Sequence, residues 1–128
     1  MKKIFVIALL SISYVSFGQK KKVDLGQKIY TQYCLACHQE DGSGVPNMNP
    51  PLRKSDWVVG DKTKLINVVL KGLDEEIEVN GDTYNGIMAS HSFLTDKQIA
   101  DVLTYIRSNF ENQADAIKPE EVKALRKK

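Results

Sequence analysis

The chain has 128 residues, of which 42% are apolar and 27% charged, as expected for one small globular domain. Two lysines near the start account for the formal net charge of +2, and the remaining 16 basic and 16 acidic side chains balance. The basic residues concentrate at the two ends of the chain, and nothing in the sequence resembles the basic footprint of a nucleic-acid-binding protein.

The first 18 residues have the pattern of a signal peptide. Lys2 and Lys3 form a positively charged start, and residues 4–17 form an apolar stretch. Ser16 and Gly18 are small residues at the positions that signal peptidase recognises. The stretch is shorter than the roughly 20 residues that a membrane-spanning helix needs. We expect cleavage after Gly18, export to the periplasm and no stable membrane span afterwards; retention as an anchor is the alternative.

A first helix is predicted from Asp24 onward. Asp24 and Gln27 have the spacing of a capping box. One helical face then carries Leu25, Ile29 and Tyr33. Gly26 lies within this helix, where glycine costs about 1 kcal/mol relative to alanine. A close crossing with another helix would explain it, and tolerance near a helix end is the alternative.

The first helix leads into Cys34-Leu35-Ala36-Cys37-His38, which uses both cysteines of the chain. Cys-x-x-Cys-His is the spacing of covalent haem attachment, with one thioether from each thiol and the histidine as a ligand of the iron. A disulfide or redox motif and half of a zinc site are the alternatives. A redox Cys-x-x-Cys motif is typical of a βαβ unit, and the sequence predicts none. A zinc site needs a second pair of ligands, and the chain has no further cysteine.

Residues 39–56 are predicted to be a loop because glycine, proline and asparagine recur throughout. Following the haem motif, this loop is expected to form a wall of the haem pocket. Trp57 comes directly after it, and its indole could donate to a haem propionate. We favour a packed rim aromatic as its role.

Regular elements are predicted along the rest of the chain. A second helix covers residues 61–71 and ends at Gly72. Its buried side should carry Leu65, Ile66, Val68 and Val69. Asn80-Gly81 lies between two alternating runs in residues 77–84, which predicts a β-hairpin.

A third helix is predicted for residues 95–110, opened by a capping box of Thr95 and Gln98. Its apolar stripe comprises Ile99, Val102, Leu103, Ile106 and Phe110. Lys118-Pro119 can open a short, charged C-terminal helix. We expect this last helix to fray because its apolar content is thin.

Three side chains are candidates for the second ligand of the iron: Met48, Met88 and His91. Met88 is preferred because it lies between the hairpin and the third helix, where Gly86 allows the backbone to approach the ring. Met48 lies in the loop on the His38 side. Filling of the core is the alternative role for a lone methionine.

With these features the chain resembles the class I monohaem cytochromes c over residues 24–110. Gly26 and Tyr30 match the family's Gly-x-x-x-aromatic, and Tyr105 matches the aromatic that crosses it. Pro50 and Leu52 match the family's Pro-x-Leu. The resemblance implies that the Pro50 carbonyl accepts the proton of His38 and that Met88 is the distal ligand. Many relatives have proline after this methionine, whereas this chain has Ala89, which loosens the loop in principle.

The resemblance implies a mostly α fold: three main helices around one covalently bound haem c, with a short β-hairpin insert. The expected organisation is a signal peptide at 1–18, a cytochrome c domain at 19–110 and a charged C-terminal tail at 111–128. The hairpin and the Met-x-x-His-x-Phe-Leu run look similar to cytochrome c domains of exported bacterial oxidoreductases.

With both axial positions of the iron filled, the resemblance implies an electron carrier rather than an enzyme. It would act as a free carrier or as the carrier subunit of a redox enzyme, with redox proteins as partners. A haem enzyme or gas sensor with a weak sixth ligand, and a module without haem, are the alternatives. Residues 23–110 contain 8 basic and 12 acidic side chains, so a modestly negative docking face is expected.

Overall fold

The computed structural model describes the backbone of residues 17–127 and the side chains of residues 25–127. Within these residues the chain forms six helices and one two-stranded hairpin. The helices are α1 Phe17–Tyr33, α2 Leu35–His38, α3 Asp56–Val59, α4 Lys62–Lys71, α5 Asp96–Ser108 and α6 Pro119–Arg126, and the strands are β1 Ile77–Val79 and β2 Asp82–Tyr84. The predicted mostly α fold with a hairpin insert is confirmed. Residues 1–16 of the predicted signal peptide lie outside the described part of the chain.

The first helix begins earlier than predicted. Asp24 lies inside α1, so its assignment as the N-cap of this helix is wrong. The residues before it, Gln19 to Lys22, are good helix formers, which explains why the helix extends through a local capping pattern. Among the described residues, no helix is both long enough and apolar enough to cross a bilayer.

Helices α1 and α5 cross at Gly26, as the sequence predicted. A Cβ atom at Gly26 would lie 2.6 Å from the Cβ of Tyr105 and would collide with the backbone carbonyl of Asp101. One turn further along α1, the buried ring of Tyr30 packs at 5.0 Å from the ring of Phe110. The crossing brings the end of α1, and with it the two cysteines, against the middle of the core.

Helix α4 and the β-hairpin have the boundaries that their local sequence signals predict. The Asp61 carboxylate accepts a hydrogen bond from the Lys64 amide at the start of α4, and Gly72 ends this helix with a φ of 78°. Strands β1 and β2 pair with Ile77 opposite Tyr84. Asn80 and Gly81 both have positive φ, as the tight two-residue hairpin turn requires.

Helix α5 forms the centre of the core. The predicted capping box of Thr95 and Gln98 is present, and the buried face includes Ile99, Val102, Leu103 and Ile106. The helix ends at Ser108, two residues before the predicted end. Phe110 and Glu111 then adopt left-handed backbone conformations, with φ of 53° and 62°, and turn the chain back over the core.

The C-terminal helix packs on the domain, and the expectation that it would fray is wrong. Val122 is 0% exposed, and Ile117 just before the helix is buried in the same cluster. The Thr104 hydroxyl on α5 accepts a hydrogen bond from the Ile117 amide at 3.0 Å. A few fully buried side chains therefore dock a helix whose overall apolar content is low.

Candidate haem-binding site

A cavity of about 330 Å³ opens between α2, α4, α5, the hairpin and the two irregular segments 39–55 and 85–95. Its lining is mostly apolar and includes Val68, Val69 and Leu103. All the residues that the sequence predicted for the site line this one cavity: Cys34, Cys37, His38, Pro50, Leu52, Trp57 and Met88.

The two cysteines are free thiols at one side of the cavity. Cys34 is half-buried after the last turn of α1, and Cys37 is exposed on α2. Burial raises the pKa of the Cys34 thiol to about 11, with the nearby Cys37 acting in the same direction. The disulfide that was the alternative interpretation of the motif is not formed.

The imidazole of His38 is oriented by Pro50. His38 is 8% exposed, and its Nδ1 lies 3.0 Å from the Pro50 carbonyl oxygen. A carbonyl can only accept, so Nδ1 carries the proton and Nε2 keeps a free lone pair. Burial lowers the pKa of His38, His91 acts in the same direction, and the bond to Pro50 opposes both. The neutral form, which is the form that binds metals, is therefore favoured.

The loop that carries Pro50 is fixed by close backbone contacts. The Gly44 amide donates to the His38 carbonyl at 3.1 Å, and the Leu52 amide donates to the Gly42 carbonyl at 2.8 Å. Both glycines have positive φ. A Cβ atom on Gly42 would lie 2.8 Å from the ring of Phe110, so glycine is needed for this approach as well as for the turn.

Met88 is held by backbone pairing with Leu73. The Met88 amide donates to the Leu73 carbonyl at 2.7 Å, and the Leu73 amide donates back at 2.9 Å. Two further bonds fix the chain beyond it: Ser90 Oγ donates to the Leu70 carbonyl and the His91 amide donates to the Val69 carbonyl. The loop is thus held on α4 although Ala89 replaces the proline of many relatives.

The other two distal candidates differ in position. The side chain of Met48 is 55% exposed and does not line the cavity, while its carbonyl accepts a hydrogen bond from the Gly86 amide at 2.9 Å. His91 does line the cavity. Its Nδ1 is the one buried side-chain polar atom without a hydrogen-bond partner among the described residues. The geometry therefore excludes Met48 from the cavity wall and leaves Met88 and His91 as the two candidates there.

Trp57 lies at the rim, and its indole is already engaged. Nε1 donates to the Glu78 carbonyl in β1 at 2.8 Å, and Lys64 Nζ lies 3.4 Å above the ring. A propionate donor is therefore not its role in this structure. The favoured alternative, a packed rim aromatic, agrees with these contacts.

Sequence reasoning missed Asn112 as a residue that supports the site. Its buried amide donates to the Leu52 carbonyl at 2.7 Å and to the Ile106 carbonyl at 3.0 Å, and its Oδ1 accepts from the Ser55 amide. Asn112 thereby joins the end of α5 to the His38-side wall of the cavity. A polar residue just after a helix carries no sequence signal for such distant partners.

A mostly helical domain around an apolar cavity, with two free thiols and an imidazole at its wall, has the architecture of a c-type cytochrome. Residues 23–110 match the family model "Cytochrome c". The chain is 42% identical over 112 residues to cytochrome c-552 of Thermus thermophilus, covering 80% of this chain and 85% of that protein. The chain belongs to the cytochrome c family, and it is an electron carrier whose cofactor is a covalently bound haem c.

Other relatives are parts of larger proteins. The chain is 32% identical over 90 residues to the cytochrome c subunit of the quinone alcohol dehydrogenase of Gluconobacter oxydans, covering 70% of this chain and 19% of that subunit. The crystal structure of the c-type cytochrome XoxG from Methylobacterium extorquens AM1 matches with a TM-score of 0.52 and 20% identity. That match covers 83% of this chain and 65% of XoxG, and it shows the shared fold.

Proposed function

We propose that this chain transfers single electrons between exported redox proteins through one haem c, joined by thioethers to Cys34 and Cys37 and ligated by His38 and Met88. The observation that carries the proposal is the convergence of both thiols, the His38 imidazole and the Met88 thioether on a single apolar cavity.

The residues present fit an iron porphyrin. The two thiols have the spacing that forms two thioether bonds to one macrocycle, and His38 follows with Nε2 free for the iron. Met88 supplies a soft sulfur ligand from a different segment of the chain. The apolar lining suits the faces of the macrocycle. The bound haem supplies a one-electron change of valence at its iron.

The side chains then set how readily that electron is accepted. The bond from His38 Nδ1 to Pro50 holds the imidazole in one tautomer and one orientation, which is the usual second-sphere support of a histidine ligand. The thioether of Met88 favours the reduced iron and raises the potential. Low polarity around the site acts in the same direction, because the oxidised centre carries one more positive charge.

We place the carrier in the periplasm, with a dehydrogenase or reductase as donor and an oxidase or reductase as acceptor. The signal-peptide pattern in residues 1–18 supports export. Relatives include a cytochrome matched over most of its length and cytochrome subunits of dehydrogenases. A free carrier and a carrier subunit of a redox enzyme are both in keeping with these relatives.

The proposal is tested on the exported protein. Its mass should exceed that of the cleaved chain by one haem, and Cys34→Ala with Cys37→Ala should remove this addition. The ferric spectrum should show the methionine–iron charge-transfer band, and the ferrous protein should bind carbon monoxide poorly. A mass without haem would contradict the proposal, and ready binding of carbon monoxide would favour the gas sensor or haem enzyme.

A further inference from the structure

The C-terminal segment, residues 111–127, lies outside the region that matches the family, yet it is bonded to the segment that carries Met88. Helix α6 packs along α5 with Val122 fully buried. Its last residue, Arg126, lies next to the turn that joins Met88 to the start of α5. The contacts of this arginine therefore tie α6 to the segment between Met88 and α5.

All three guanidinium nitrogens of Arg126 are used. Nη1 donates to the Ser92 carbonyl at 2.7 Å and Nη2 to the Leu94 carbonyl at 2.7 Å. Nε donates to the Asp96 carboxylate at 2.6 Å. The arginine side chain is 32% exposed, so these bonds are partly shielded from water. Because the guanidinium group is planar and donates to three acceptors, it fixes both the orientation of the bound backbone and its distance from α6.

One of the two carbonyls that Arg126 binds belongs to a residue of the cavity wall, Leu94. Leu94 is 4% exposed and its side chain lines the cavity. Residues 88–94 are held at the upstream end by the Met88–Leu73 pairing and in the middle by Ser90 and His91. Arg126 anchors the downstream end of this segment. The anchor matters because Ala89 does not restrict the backbone as a proline would.

We propose that Arg126 is a positioning residue for the distal ligand: by binding the carbonyls of Ser92 and Leu94, it holds residues 88–94 closed over the haem. The inference rests on the proposed ligation of the iron by Met88. An added ligand can reach the iron only from conformations in which this segment has opened. Loss of the guanidinium contacts should therefore raise the apparent affinity for an external ligand.

The experiment uses the haem-loaded full chain with Arg126→Gln. Imidazole is titrated into the ferric protein while the methionine–iron charge-transfer band is followed. We expect the apparent affinity for imidazole to rise about tenfold or more, because each lost bond to a charged donor favours the open segment. The thermal midpoint is measured on the same samples.

Lys62→Gln is the matched control. Lys62 Nζ donates to the Ala116 carbonyl at 2.8 Å and pairs with Glu121, so it ties the same C-terminal segment to α4, away from Met88. We expect its imidazole affinity to stay within about twofold of the wild type. An equal rise in both variants would show general loosening of the C-terminal segment and would overturn the specific role of Arg126.

A second variant covers the case in which Arg126→Gln does not take up haem. Arg126→Lys keeps the charge beside Asp96 but lacks the fork that reaches two carbonyls, so its affinity for imidazole should exceed that of the wild type. An imidazole affinity of Arg126→Lys equal to that of the wild type would contradict positioning by the guanidinium fork. A wild type without the methionine–iron band would refute Met88 ligation itself, whereas a wild-type band with unchanged imidazole binding in Arg126→Gln refutes only the role of Arg126.

Discussion

The Cα of Gly26 faces Tyr105 so closely that an added Cβ atom would lie 2.6 Å from the tyrosine Cβ. Real Cβ atoms do not approach a neighbour to this distance, so glycine at position 26 sets how closely α1 and α5 pack. The same crossing fixes the position of the cysteines relative to the core.

Gly26→Val should therefore destabilise the protein by about 1–3 kcal/mol or more, because the added bulk must separate the two helices. Gln27→Val is the control, since residue 27 is exposed on the same helix and takes the same new side chain. Its expected loss is about 0.5 kcal/mol, from helix propensity. Chemical denaturation of both haem-loaded variants measures the difference, and equal unfolding free energies would contradict the tight crossing.

Met88→Ala should abolish the methionine–iron charge-transfer band, lower the reduction potential and let carbon monoxide bind the ferrous protein. Met48→Ala is the matched control, because the Met48 side chain is 55% exposed and does not line the cavity. Visible spectra and a redox titration of both variants measure these effects. Loss of the low-spin spectrum in Met48→Ala instead would refute the assignment of Met88.

Tyr30 should make the stability of the protein sensitive to alkaline pH. Its hydroxyl donates to the Gln39 carbonyl at 2.6 Å, and burial raises the pKa of the Tyr30 phenol above its usual range. The folded protein therefore favours the neutral phenol. This stabilisation is fully present below the unfolded pKa of about 10 and is lost as the pH rises above it.

Tyr30→Phe should cost about 1 kcal/mol at neutral pH, from the lost hydrogen bond, and should lose less stability than the wild type as the pH rises from about 10 to 11.5. Tyr33→Phe on the same helix controls for removal of a tyrosine hydroxyl in general. Denaturation at a series of pH values gives both results. Parallel pH curves for wild type and Tyr30→Phe would exclude this role.

Acidic side chains border the cavity on the Met88 side. Asp74, Glu75 and Glu76 are exposed between Leu73, which pairs with Met88, and Ile77, which lines the cavity. Within residues 25–127, none of these three carboxylates takes part in an ion pair. This placement agrees with the negative docking face expected from the charge count.

Oxidation of the reduced protein by a cationic cobalt(III) complex should therefore slow as salt is added, because screening limits attraction to about 10 Å at 0.1 M. Glu76→Gln should slow this reaction at low salt and accelerate oxidation by anionic ferricyanide. Glu120→Gln, with the same charge change on α6, should alter both rates less. Stopped-flow rates that do not depend on salt or on Glu76 would contradict the charge argument.

Local signals predicted much of the fold. The caps at Asp61 and at Thr95 with Gln98, and the turn at Asn80-Gly81, each depend on residues within four positions of one another. Asp24 shows the limit of such signals. Its capping pattern is intact, but the preceding residues also favour helix and the helix continues through it.

The members of the site were predictable, whereas the contacts that support it were not. The cysteine–histidine spacing, Pro50 and Met88 follow recognisable patterns, and these residues do share one cavity. Asn112 binds Leu52 from 60 positions away, and Arg126 binds Leu94 from 32 positions away. A polar side chain that binds a distant backbone group produces no periodic pattern in the sequence. The sequence therefore predicted only a charged tail for residues 111–128.

The two thiols and His38 occupy five consecutive residues, while Met88 comes from a separate segment with its own backbone anchors on α4. Under the proposed ligation, retention of the cofactor and access to the iron depend on different stretches of the polypeptide. A designer could remodel residues 88–94 to admit a substrate while leaving the attachment segment unchanged. The domain is in this sense a modular starting point for converting a carrier into a catalyst.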